Sequence, residues 1–157
     1  MEKEPITSIG FIDLKKKLRL FTYMLRPKIL DSIKKAREFG DLRENAEYHA
    51  AREELLLLDK KIKEFEKQIL VSDIINTKKL KDKSVVRFGS IVTIQNLENL
   101  QLLSYQIVGE YESDLNQNKI SVRSPLAKAM ILKKKNDVVF VEITDNFVKY
   151  KIIDISI

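Results

Sequence analysis

An α+β fold in two parts is what this sequence predicts, and three observations predict it. Apolar residues recur at spacings of three and four through the first half. They alternate at two through much of the second half. Between the two helical stretches lies a short polar run, Gly40-Asp41-Leu42-Arg43-Glu44-Asn45-Ala46-Glu47-Tyr48-His49. Helical periods, strand periods and a turn between two helices give an antiparallel α-helical coiled-coil hairpin followed by a small antiparallel β-sheet domain.

The first helix carries Leu14, Leu18, Phe21 and Leu25, stepping by four, three and four, the seam of a coiled coil. Ile29, Ile33 and Ala36 continue the stripe. Pro27 falls inside it and removes a backbone donor, so a kink or local break is expected there. From Leu14 to Phe39 such a helix extends about 39 Å. The second helix carries Leu55, Leu58, Ile62, Phe65 and Ile69 on one face, with Lys60, Lys61, Lys63, Glu64, Glu66 and Lys67 on the other. A short connection makes the two helices antiparallel neighbours.

Thr77 to Ser84, rich in Lys and Asp, reads as a linker. Beyond it, Ser90–Ile94, Leu103/Tyr105/Ile107, Ile120–Val122, Val138–Ile143 and Val148/Tyr150/Ile152 read as strands. Asn-rich and Asp-rich clusters separate them. Ser124-Pro125 opens one short helix, Ser as the cap and Pro in the first turn. The expected organisation is residues 1–76 hairpin, 77–84 linker and 85–157 sheet domain.

Composition narrows the class. The 157 residues are 44% apolar and include no cysteine, which excludes a disulfide framework and a thiolate metal site. No apolar run approaches the roughly 20 residues of a membrane span, and Met1–Phe11 lacks a signal-peptide core. A soluble, cytoplasmic protein is expected, with no small-molecule substrate and a monomer as the default, since the hairpin buries its seam on itself. The net charge of +6 fits a partner that handles nucleic acid. Charge is unevenly placed: Ile12–Arg37 holds nine basic and two acidic residues, whereas Glu38–Glu54 holds six acidic and two basic. A solvated face followed by an acidic turn explains this as well as a functional tip does.

The tip admits two readings. Asp41 suits a helix N-cap, with Glu44 three residues on as an acidic capping box, and Gly40 suits a left-handed helix end. Alternatively, Asp41 and Glu44 offer oxygens to a divalent cation. Two carboxylates do not satisfy the six-ligand preference of Mg²⁺, so the remaining ligands would have to come from another molecule. Glu47 adds field at most.

The run Gly40–Glu53, GDLRENAEYHAARE, closely resembles the signature of the Gre transcript-cleavage factors of bacterial RNA polymerase. Val86–Thr93, Tyr105–Glu110 and Ile120–Ala127 resemble that family's second domain, so the likeness covers nearly the whole chain; the pattern is nearer its GreA branch than GreB. The resemblance implies that the second domain is FKBP-like and docks on the polymerase through Ser121, Ser124, Pro125 and Leu126. It implies that the coiled coil enters the secondary channel. There Asp41 and Glu44 would help hold the second catalytic Mg²⁺ while the polymerase cleaves backtracked RNA near the nascent 3′ end. The factor would then be no enzyme and own no cofactor, the Mg²⁺ being shared with the polymerase.

Arg37, Arg43, Arg52 and Tyr48 are the candidates for contact with RNA or the channel. The structural alternatives are ion pairs with Glu38, Glu47 or Glu53 for Arg37 and Arg52, orientation of a tip carboxylate for Arg43, and packing across the hairpin for Tyr48. His49 alone makes a poor zinc site. Asn45 hydrogen-bonds either the turn or an outer-shell water. Leu132–Asp137 and Thr144–Phe147 lack the glycines usual in the family at these turns, and Asn is the substitute suited to left-handed positions. Two other functions share parts of this pattern: a secondary-channel regulator that tunes the polymerase without cleavage, and a basic coiled-coil arm that binds RNA directly.

Overall fold

The computed structural model describes residues 1–80 and 82–157. The chain divides into two compact units, one of Phe11–Val71 and one of Met1–Gly10 with Ser72–Ile157. The expected boundary at residue 76 differs because two short strands, β1 (Glu4–Thr7) and β2 (Ser72–Ile75), pair in parallel and belong with the second unit. Of the expected linker, Lys81 lies outside the described residues, and Thr77–Lys79 form a 3₁₀ turn capped by Asn76.

Helix α1 (Ser8–Leu20) runs through a π-helical turn, Phe21–Leu25, into α2 (Arg26–Arg37). Pro27 explains the π turn. Its ring lacks an N–H and crowds the carbonyl four residues back, so the preceding turn widens. The Arg26 N–H accordingly donates to Phe21 O, five residues back. The helix is thus deformed at the expected place without being broken.

Helix α3 (Ala46–Val71) returns beside α2. Ile29, Ile33 and Ala36 from α2 close on Tyr48, Ala51, Leu58 and Ile62 from α3, with Leu18, Phe21, Leu25 and Leu55 packed against them. Phe21 and Phe65 meet edge to face at 5.1 Å between centroids. The seam follows the apolar spacing, with Tyr48 and Ala51 extending it toward the turn.

Arg26 and Asp59 bind across the seam, Nε to Oδ1 at 2.8 Å and Nη2 to Oδ2 at 3.4 Å. The hydrogen bonds from Arg26 hold the Asp59 carboxyl below the usual carboxylate range. Both side chains remain partly solvated, so water screens the pair.

The second unit holds a five-stranded sheet: β3 (Ile91–Asn96), β4 (Leu102–Val108), β5 (Lys119–Ser121), β6 (Val138–Ile143) and β7 (Asn146–Ser156), in the order β5-β4-β3-β7-β6. All neighbours are antiparallel, as the sequence predicts for the sheet, except the short β5, which runs parallel to β4. The excursion Gly109–Asn118, with two 3₁₀ turns, carries the chain back to enter β5 in the direction of β4. A bulge shifts the β3–β7 register between Thr93 and Ile94, which increases local twist and helps curl the sheet. Val92, Ile94, Ile107 and Ile152 are fully buried on one face. Helix α4 (Pro125–Met130) covers them with Ala127 and Met130, and the Ser124 hydroxyl caps it by accepting from Ala127 N–H.

Only four glycines serve the whole chain. Left-handed backbone therefore falls on other residues, including Asn118, Asn136, Leu132 (φ 65°) and Thr144 (φ 45°). Asn tolerates this region; a bulky or β-branched residue does so under strain. Leu132 is 68% exposed, so its side chain contributes little packing to offset that strain. Leu132→Gly and Thr144→Gly are each expected to raise stability by about 0.5–1 kcal/mol, read from the urea midpoint of the full chain.

The Arg26–Asp59 pair generates a pH prediction. With its folded-state pKa depressed, Asp59 stabilises the hairpin above the unfolded carboxylate value of about 3.9. That stability is lost as pH falls through the lower folded value. Helicity followed at 222 nm during acid titration is expected to show this loss, and Asp59→Asn is expected to remove it.

Candidate functional site at the hairpin tip

The turn between α2 and α3 is built by satisfying the ends of both helices. The last carbonyls of α2 accept short-range bonds: Lys35 O from Glu38 N, Ala36 O from Phe39 N and Arg37 O from Gly40 N. Gly40 sits at φ 88°, as a glycine helix end requires. A Cβ there would meet nothing within 4 Å, so the need for glycine is conformational, not steric.

The acidic capping box, one of the two readings of the tip, is absent. Helix α3 starts at Ala46, too late for Asp41 to cap it. Asn45 is the cap: its Oδ1 accepts from Tyr48 N–H at 3.1 Å. The same side chain donates from Nδ2 to Ala36 O at 2.7 Å. An Asp at position 45 would cap α3 but lack this donor, whereas the amide carries both functions. Asp41 instead accepts from Arg43 N–H at 3.0 Å, closing a local turn. His49 Nε2 lies 3.0 Å from Arg43 O. A carbonyl only accepts, so Nε2 carries the proton.

These bonds leave the acidic groups at the surface. Asp41 has one carboxylate oxygen committed to Arg43 N–H, and Glu44 makes no hydrogen bond or ion pair among the described residues. Both are exposed and line one shallow depression of about 420 Å³ with Phe39, Asn45, Ala46 and Glu47. Phe39 stands 77% exposed beside them, an apolar element the spacing analysis did not single out. Among the described residues no three His, Cys, Asp or Glu side chains are placed to hold a metal ion. Asp41 and Glu44 suit a hard cation chemically, but as an incomplete ligand set.

Behind the tip, Tyr48 is buried between Arg37 and Arg52. The guanidinium carbons lie 5.8 Å and 5.9 Å from the ring centroid. Hydrogen bonding from Arg37 lowers the phenol pKa most, burial opposes it, and Arg52 adds to the lowering. Among the described residues, neither arginine forms the alternative ion pair with Glu38, Glu47 or Glu53. Tyr48 therefore occupies the seam, while both arginines remain exposed beside it. Arg43 is exposed within the turn.

The other candidate residues lie in the sheet unit. Ser121 Oγ donates to the Glu110 carboxylate and accepts from Arg123 N–H. Ser124 is engaged as the α4 cap. Leu126 packs half-buried against the core, and Pro125 is exposed. A contact missed in the sequence holds β1 here: Glu112 accepts from the N–H groups of Thr7 and Gly109, both at 2.9 Å, and from the Thr7 hydroxyl. A glutamate inside a polar loop gives no signal for such a clamp.

Two family models match the chain: "Transcription elongation factor, N-terminal" over residues 4–74, and "Transcription elongation factor, GreA/GreB, C-term" over 81–157. The chain belongs to the GreA/GreB family of transcription elongation factors. Curated relatives agree. Transcription elongation factor GreA of Legionella pneumophila is 43% identical over 156 residues, covering 99% of this chain and 98% of that protein. GreA of Buchnera aphidicola (strain Bp) is 43% identical over 152 residues, covering 97% and 96%. GreA of Orientia tsutsugamushi is 46% identical over 139 residues, covering 88% and 87%. Among solved structures, GreA factor homolog 1 (Gfh1) of Thermus thermophilus is 20% identical over 99% of each chain, with a TM-score of 0.45. The GreA/GreB factor of Nitrosomonas europaea is 13% identical over the full length of both, at 0.44. Among the described residues no helix is long and apolar enough to cross a membrane.

Gly40 offers a direct check on the local construction. Gly40→Ala is expected to cost about 1 kcal/mol through the backbone alone, and Gly40→Asn less than half of that. Thermal unfolding of the two variants measures the difference.

Proposed function

We propose that this factor acts on RNA polymerase as an activator of transcript cleavage. The hairpin would enter the secondary channel and present Asp41 and Glu44 to the active site, where backtracked RNA lies with its 3′ end displaced. The observation that carries this reading is the incomplete ligand set: two exposed carboxylates on a braced turn, without the further ligands that a self-sufficient site needs.

A second Mg²⁺ shared with the polymerase would supply charge stabilisation to the attacking and leaving oxygens of the phosphodiester. This chain's part is positional. The Asp41 oxygen fixed by Arg43 N–H orients the carboxylate, leaving its other oxygen for coordination. Glu44 supplies a second, unengaged carboxylate. Arg37, Arg43 and Arg52 present cationic groups to RNA phosphates or an acidic channel wall, while Tyr48 holds the first and last of these apart. The hydrolysis belongs to the polymerase, so the chain is no enzyme by itself and needs no resident cofactor. Docking is assigned to the face around Ser121, Ser124, Pro125 and Leu126, where exposed Pro125 is the accessible apolar element. The factor works as a cytoplasmic monomer.

A stalled, backtracked elongation complex with labelled RNA tests this. The protein with Mg²⁺ is expected to shorten the RNA from its 3′ end. Asp41→Asn combined with Glu44→Gln is expected to lower that rate roughly a hundredfold or more, comparable to deleting a transition-state charge partner, without weakening polymerase binding. Unchanged cleavage by the double variant would refute metal support. Bound factor that alters elongation without any cleavage would place the chain among inhibitory regulators.

A further inference from the structure

We infer that Asn45 and His49 are positioning residues for the acidic pair, fixing the turn from both sides. The inference rests on the proposed role of Asp41 and Glu44 and adds how their placement is achieved. Asn45 spans the tip, donating to Ala36 O at 2.7 Å on α2 and accepting from Tyr48 N–H at 3.1 Å on α3. It therefore sets the distance between the two helix ends that the turn must bridge. His49 reaches back from the second turn of α3 to Arg43 O at 3.0 Å. Arg43 N–H in turn holds the Asp41 carboxylate. The chain of contacts runs from a regular helix, through the backbone of one residue, to a candidate ligand oxygen.

The rest of the turn is poorly supported. Asp41, Leu42, Arg43 and Glu44 are all exposed, and Gly40 touches nothing around its missing Cβ. Without packing, side-chain hydrogen bonds are what limit this segment's conformations. A carboxylate pair that must complete another molecule's metal site needs placement to within a fraction of an ångström. Loss of either brace would spread Asp41 and Glu44 over many positions while leaving the coiled-coil seam intact.

The variants separate positioning from folding. Asn45→Ser keeps an oxygen to cap α3 but removes the donor to Ala36 O. His49→Ala removes the anchor on Arg43 O, and His49→Gln restores an N–H near the same place. With full-length factor on backtracked complexes, Asn45→Ser and His49→Ala are each expected to lower the maximal cleavage rate about tenfold or more, as small misplacements of reacting groups do. They are also expected to raise the Mg²⁺ concentration needed for half-maximal rate. Half-saturating factor concentration and melting temperature are expected to stay near wild type, amide exchange to accelerate only around residues 40–45, and His49→Gln to recover most of the rate.

Wild-type cleavage and Mg²⁺ dependence in both Asn45→Ser and His49→Ala would overturn the inference and leave the role of Asp41 and Glu44 standing. Lowered rates that track lost helicity or lost polymerase binding would overturn it too, showing a structural effect only. Wild-type factor that stimulates no cleavage would remove the underlying function, and the inference with it.

Discussion

Two helices laid side by side and joined by a short turn leave unpaired carbonyls on one end and unpaired amides on the other, at the same tip. Every other property of the hairpin depends on how that deficit is met. Here an amide side chain meets part of both sides at once, because Asn45 has a donor and an acceptor on one rigid plane. The turn then needs no packing of its own. Its residues stay in solvent, and its acidic groups are spared from capping duty. The charge at the tip is available because neutral groups do the structural work.

The same division explains which parts of the hairpin were legible in the sequence. The seam was legible because burial imposes a period, and Leu58, Ile62, Phe65, Ile29, Ile33 and Ala36 obey it. Gly40 was legible because few residues accept a left-handed helix end. The N-cap was not: Asp41, Asn45 and the intervening residues all suit a turn, and choosing among them requires knowing where the opposing helix stops. Tyr48 was ambiguous for a related reason. An aromatic near a charged tip suits either stacking or burial, and only the placement of Arg37 and Arg52 around the ring shows where it lies.

In the sheet unit, alternation revealed the longer strands but not their partners. The parallel pairing of β5 with β4 follows from the path of Gly109–Asn118, an excursion with no apolar period. Strands β1 and β2 are four residues each, too short for alternation to register, and they are joined only after some 64 intervening residues fold back. Glu112 makes that return specific by bonding Thr7. Long-range contacts of this kind leave almost no local trace.

The spacing of the first apolar stripe and the π turn are one fact seen twice. From Phe21 to Ile33 the seam advances by fours only, three steps spanning twelve residues. Three turns of ideal α-helix take up about eleven residues. The surplus, about one residue, would rotate the far half of the stripe by roughly 100° away from α3. The wide turn at Phe21–Leu25 absorbs that residue and brings Ile29 and Ile33 back into phase. Pro27 is thus less a defect than a timing mark. It decides where the extra residue is stored, and thereby the azimuth at which α2 delivers its last carbonyls to Asn45.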